Sequence, residues 1–138
     1  MILVIYADGA CRGNPGPMAI GASIQDDRGK ELATVSQLLE KGTNNIAEYK
    51  AGIEGLKKAK SLGATEIELR MDSQLVVKQI DGRYGVKHPV LQTLHTEILT
   101  LLEAFDRHGV VHIPREENQR ADELANSAYG TSTPGKTG

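Results

Sequence analysis

A chain of 138 residues, 39% of them hydrophobic and with Cys11 as its one cysteine, has room for a single packed domain and excludes an intramolecular disulfide or a cysteine-rich zinc site. The formal net charge of −2 argues at face value against a partner as anionic as nucleic acid, but the acids are unevenly spread. Residues 9–25, 41–47 and 82–96 carry none, and the last stretch holds Arg83, Lys87, His88 and His95, so a face shared by these stretches would be neutral to basic.

The first element, 2–8, is a short β-branched run that reads as a buried strand ending at Asp8-Gly9. Gly13, Pro15, Gly16 and Pro17 mark 9–17 as a loop, and 19–25 and 31–39 read as an antiparallel pair around the Asp-Arg-Gly turn at 26–30. From Asn44 the period changes: Ile46, Tyr49, Ile53 and Leu56 predict a helix capped by Thr43 or Asn44 and stopped at Gly63. Residues 66–72 alternate as a strand, and Ser73 opens a short helix to about Ile80, ended by Gly82. A longer helix opens at Pro89 and runs through Leu94, Ile98 and Phe105 to a stop at Gly109, before a strand at 110–113. The last helix is expected over 119–129. Residues 130–138, all Ser, Thr, Gly, Pro and Lys, read as a disordered tail to a domain of residues 1–129. The order βββαβααβα implies an α/β fold, a five-stranded mixed sheet flanked by helices with the first strand central. No run approaches the roughly 20 apolar residues of a membrane span, and a cytoplasmic monomer is expected.

Asp8 and Asp72 end the first and fourth strands, so parallel neighbours would present both carboxylates at one carboxyl edge. Glu48 and Asp122, each in the first turn of a helix, can reach the same edge. Four carboxylates in one pocket repel one another unless cations neutralise them, and with no Cys/His cluster the cations of choice are Mg²⁺ or Mn²⁺. Two such ions about 4 Å apart suit phosphodiester hydrolysis. Taken singly, each acid has a plainer reading: Asp8-Gly9 a turn, Asp72-Ser73 a helix cap, Glu48 and Asp122 complements to helix dipoles.

Four blocks together resemble the ribonuclease H family, type I branch, from Ile2 to Ala128. They are Asp8-Gly9-Ala10-Cys11-Arg12-Gly13-Asn14-Pro15-Gly16-Pro17, Thr43-Asn44-Asn45-Ile46-Ala47-Glu48, Asp72-Ser73-Gln74 and Asn118-Gln119-Arg120-Ala121-Asp122-Glu123-Leu124-Ala125. The resemblance implies a ribonuclease H-like fold. It implies an endonuclease that cuts the RNA strand of RNA/DNA hybrids, leaving 5′-phosphate and 3′-hydroxyl ends, with Asp8, Glu48, Asp72 and Asp122 binding two ions when substrate is bound. It further implies that Gly9, Cys11, Asn14, Asn44, Asn45 and Gln74 meet the hybrid's minor groove, where amides read the 2′-hydroxyl, and that Thr43 helps hold a DNA phosphate at a helix N-terminus. On the plainer reading Asn14 and Asn44 are turn and cap residues. Cys11 has no nucleophilic partner in the sequence and is given a contact role only.

Two departures from the family's commonest pattern stand out. Where many members insert a basic helix and loop, this chain has only 82–89, with Arg83, Lys87 and His88, so it resembles the short form without that protrusion, and weaker, more salt-sensitive binding is expected. The loop before the last acid, Pro114-Arg115-Glu116-Glu117-Asn118, lacks the usual histidine. Arg115 is expected to stabilise phosphate charge there, though as a permanently protonated group it is no general base; His112 competes for the role and as a strand residue reads as structural. The alternatives are a non-catalytic RNA/DNA-hybrid-binding module, or a recombinase or exonuclease on the same fold.

Overall fold

The computed structural model describes residues 1–131. Its five strands are β1 (Ile2–Cys11), β2 (Gly16–Asp26), β3 (Glu31–Gly42), β4 (Glu66–Met71) and β5 (Arg107–His112), in the spatial order β3-β2-β1-β4-β5. The β1–β2 and β2–β3 pairs are antiparallel, whereas β4 runs parallel to both β1 and β5, so the mixed sheet with β1 at its centre is as expected. The last registered pair between β1 and β4 is Ala7 with Met71, so Asp8, next on β1 and not at its end as expected, lies beside Asp72, the first residue past β4.

Helix α1 (Asn44–Ser61) starts at Thr43, whose Oγ1 accepts from Ile46 N at 3.3 Å. Helix α2 (Gln74–Ile80) starts at Ser73 in the same way, Oγ accepting from Val76 N. Both caps satisfy a first-turn N–H that the helix cannot. Helices α1 and α3 (Pro89–Glu103) cover one face, where Leu3, Ile5, Ala7, Leu56, Leu69 and Ile98 join one buried cluster. Helix α4 (Gln119–Thr131) covers the other, closing over Ala19 with Ala128 and Tyr129.

Three expectations need correction. Most of 9–17 is not a loop: β1 continues to Cys11, which pairs with Met18, and Arg12 N donates to Pro17 O at 3.0 Å. Gly9 is therefore a mid-strand residue and Asp8-Gly9 is not a turn. The Gly and Pro punctuation belongs to the reversal itself, where a Cβ on Gly16 would come 1.9 Å from Arg12 O. Gly109 does not stop α3 but lies inside β5, opposite Glu68. The helix ends at Glu103 because tighter bonds, Ala104 N to Leu101 O and Phe105 N to Leu102 O, close its last turn, after which Asp106 N donates to Thr65 O and draws the chain into the sheet. Helix α4 continues to Thr131, so the first two residues of the tail expected over 130–138 are helical, and the rest, 132–138, lies outside the described residues.

Candidate active site

Two glycines inside strands determine how the acids meet. A Cβ on Gly9 would lie 2.3 Å from the carbonyl carbon of Ala47 and 2.4 Å from Glu48 N, so the backbone of α1 rests directly on β1 one residue beyond Asp8. Glu48 Oε1 then accepts from Gly9 N at 2.7 Å. On the opposite face Gly21 is registered against Asp8. A Cβ there would lie 2.3 Å from Ala121 O and 2.4 Å from Ala125 N, so α4 is seated on β2 and its Asp122 reaches the carboxyl of Asp8, with which it shares a hydrogen bond.

Asp8, Glu48 and Asp72 each place a carboxylate oxygen within 4.8 Å of the others. With Asp122, Arg115, Asn44 and Cys11 they line a cavity of about 310 Å³. Burial, followed by the charges of Glu48 and Asp72 and the hydrogen bond to Asp122, pushes the Asp8 carboxyl up from 3.8 to about 9. Burial also pushes Glu48 up from 4.5 to about 8, with Asp72 adding to the effect and the Gly9 N–H and Arg115 opposing it. Without a cation, burial and mutual repulsion favour the protonated forms of both acids, and Arg115 and the Gly9 N–H offset this only in part at Glu48. An all-oxygen donor set under that constraint fits a hard divalent cation, and Asp8, Glu48 and Asp72 could hold one, with Asp122 alongside. The one thiol nearby is otherwise engaged: Cys11 Sγ faces the carbonyls of Gly13 at 2.6 Å and Gly42 at 3.1 Å.

The remaining expected residues divide. Asn14 Oδ1 accepts from Asn44 N at 3.2 Å, tying the β1–β2 reversal to the start of α1, and Asn44 borders the cavity. Thr43 caps α1, and Asn45 lies in its first turn away from the cavity lining. Gln74 is exposed at the start of α2 and lines a separate groove with Arg83 and His112. Arg115, on a single 3-10 turn (Arg115–Glu117), faces the acids, whereas His112 does not. No helix intervenes between Ile80 and Pro89. Sequence reasoning gave no role to Asn126, which borders the cavity one turn after Asp122, or to Asn118, whose Nδ2 donates to Asp72 Oδ2. Their spacing of four residues on either side of Asp122 was the available signal. A larger cleft of about 430 Å³ between β3 and α1, lined by Thr34, Ser36, Lys57 and Lys58 among others, brings no acid cluster together.

Residues 6–128 match the reverse transcriptase-like family. A bifunctional protein of Mycobacterium tuberculosis is 46% identical over 129 residues, 93% of this chain and 35% of that protein, so the chain spans about a third of that relative's length. The crystal structure of RNase H1 from the halophilic archaeon Halobacterium salinarum superposes with a TM-score of 0.94 at 41% identity, covering 96% of this chain and 100% of that one. LC11-RNase H1, solved in complex with RNA/DNA hybrid, gives 0.89 at 42% identity, covering 94% of this chain and 98% of that one. Agreement over nearly the whole length, in sequence as well as topology, places the chain in the ribonuclease H family, in the type I branch and its short form without the basic protrusion.

Proposed function

We propose that this protein is a metal-dependent endonuclease that hydrolyses the RNA strand of RNA/DNA hybrids to 5′-phosphate and 3′-hydroxyl ends. The observation that carries the reading is the convergence of Asp8, Glu48 and Asp72 within 4.8 Å, with Asp122 lining the same cavity, which is open to solvent. The hybrid bound by LC11-RNase H1 supports the substrate class. Asp8, Glu48, Asp72 and Asp122 would hold Mg²⁺ or Mn²⁺, two ions with substrate bound; such ions activate a water and stabilise the leaving oxygen. In the reaction the water oxygen bonds to phosphorus, the bond from phosphorus to the RNA 3′-oxygen breaks, and a proton passes to that oxygen. Arg115, whose guanidinium borders the acids, faces the phosphate and offsets its developing charge.

Cys11, Asn14, Asn44, Asn45 and Gln74 supply the polar contacts to the minor groove, with Gly9 keeping α1 close. Asn14 already holds the Asn44 N–H, and Thr43 holds those of Ile46 and Ala47, so the phosphate expected beside Thr43 is left the Asn45 N–H of that helix start. The working form is a monomer in the cytoplasm; among the described residues no helix is long and apolar enough to cross a membrane. The test is to incubate the protein and its Asp72→Asn variant with end-labelled RNA/DNA hybrid, double-stranded RNA and double-stranded DNA, with Mg²⁺, Mn²⁺ or chelator. Metal-dependent cutting confined to the RNA of the hybrid, and lost in the variant, is expected. A hybrid that is bound but uncut under every condition overturns the reading in favour of a binding module.

A further inference from the structure

We propose that Asn118 is a positioning residue for Asp72, holding the spacing of the acid cluster, and not the cap of α4 that its place in the sequence suggests. The inference rests on the metal-binding reading of the site given above. An asparagine immediately before a helix ordinarily turns its Oδ1 to the free N–H groups of the first turn. Asn118 does the reverse. Its side chain is 1% exposed, and Oδ1 is buried with no partner among the described residues. Its Nδ2 instead donates to Ala7 O at 2.9 Å and to Asp72 Oδ2 at 3.2 Å. A flip of the amide would set an acceptor against two acceptors, so the orientation is fixed by chemistry.

Those bonds connect the elements that bear three of the acids, Asp8, Asp72 and Asp122. Ala7 precedes Asp8 on β1, Asp72 follows the last residue of β4, and the Asn118 carbonyl accepts from Asp122 N on α4 at 3.1 Å. Beyond the Ala7–Met71 pair β1 and β4 share no further registered residues, and the amide bridges them at that point. Once the acids ionise, as they must to hold a cation, their charges drive Asp72 away from Asp8 and Glu48, and the bond to Asp72 Oδ2 opposes that displacement. A residue serving only to pack or to cap would have no reason to leave a buried oxygen unpaired, which is itself unfavourable.

The experiment compares the wild-type chain with Asn118→Ser and Asn118→Ala. Serine caps a helix well but is too short to bridge Ala7 and Asp72, so it separates the two roles. Mn²⁺ affinity is measured by calorimetry on metal-free protein, and kcat and KM are measured on RNA/DNA hybrid. Both variants are expected to bind Mn²⁺ about tenfold to a hundredfold more weakly with hybrid KM within about twofold of wild type, as for the loss of a group that orients a metal ligand. In ¹⁵N-labelled wild-type protein the Asn118 side-chain NH₂ should exchange slowly with solvent, and its resonance should move when Mg²⁺ is added; this reading needs no variant to fold. Wild-type Mn²⁺ affinity and kcat in Asn118→Ser would overturn the proposal in favour of capping. A raised hybrid KM with unchanged Mn²⁺ affinity, or a fast-exchanging NH₂ indifferent to Mg²⁺, would overturn it as well. If wild-type protein shows no metal response at all, the metal reading of the site fails and this assignment falls with it; a normal wild-type response with unaltered variants removes the assignment alone.

Discussion

Without metal, the acid cluster should destabilise the fold, and Asp8→Asn should relieve it. Asp8 is held at about 9 in the folded protein against an ordinary value of 3.8, so between those limits the folded chain keeps a proton that the unfolded chain has released. The sign follows: the contribution of the protonated carboxyl is fully present below about pH 4 and is lost as pH rises through about 9, at about 1.4 kcal/mol per pH unit. Between pH 4 and 7 that amounts to about 4 kcal/mol for Asp8 taken alone, and less, about 2 kcal/mol, when Glu48 shares the same protons. An amide at position 8 neither titrates nor repels, and it can donate to Asp122 where the carboxyl now shares its proton. In chelator, therefore, variant and wild type should unfold alike near pH 4, and by pH 7 the variant should be more stable by about 2–4 kcal/mol, or about 6 °C or more in Tm. Saturating Mg²⁺ should narrow the gap by stabilising the wild type, by about 2.7 kcal/mol at a hundred times its Kd. Urea or thermal unfolding followed by circular dichroism at pH 4, 5.5, 7 and 8 provides the assay. A wild-type stability that stays level with the variant's across this range without metal would show that the carboxyls do not strain the fold and would refute the reasoning.

Other outcomes follow from the same contacts. Gly9→Ala should lower stability by about 3 kcal/mol and abolish cutting, because its methyl meets the α1 backbone at 2.3 Å; Gly109→Ala, with nothing within 4 Å of its Cβ, is the strand control that should leave both unchanged in urea titrations and hybrid assays. Tyr49→Phe should cost about 1–3 kcal/mol in the same titrations, since the buried Tyr49 hydroxyl donates to Gln79 Oε1 at 2.8 Å and its loss leaves that oxygen unpaired. Arg115→Ala should reduce kcat at least about tenfold and move the pH needed for Mn²⁺ binding upward, because the guanidinium opposes the raised pKa of Glu48; His112→Ala should do neither, as read from pH profiles of both variants.

The sheet order and the meeting of Asp8 with Asp72 could be read from the sequence because they depend on period, although β1 continues to Cys11, past the end expected at Asp8. Alternation placed Asp72 at the end of β4, and the switch to a helical period at Asn44 placed Glu48 in a first turn. What could not be read was which glycines are turns. Gly9 and Gly109 carry the same local signal as Gly13, yet each lies in a ladder whose partner, Ile20 for Gly9 and Glu68 for Gly109, is distant in sequence. Gly21 gave no signal of its importance at all, since its reason is the backbone of α4 a hundred residues later. The role of Asn118 could not be read for a related cause: only the approach of Ala7 and Asp72, distant in sequence, shows what its amide does.

These exceptions share one location. Away from the point where β4 parts from β1 the chain follows local rules: Thr43 and Ser73 cap their helices, and the buried Tyr49 hydroxyl finds an acceptor in Gln79. At that point the rules fail together, with glycines inside two strands, acids pushed toward their protonated forms and a buried amide oxygen left without a partner. Packing alone would not select any of these, since each lowers stability on its own. They are consistent with one another only if the site there is shaped for positive charge: the glycines bring two helices close enough to deliver Glu48 and Asp122, and Asn118 keeps Asp72 from retreating. A cation placed there reverses the sign of the electrostatic effect, turning the repulsion that destabilises the metal-free fold into ligand charge already converged on one point.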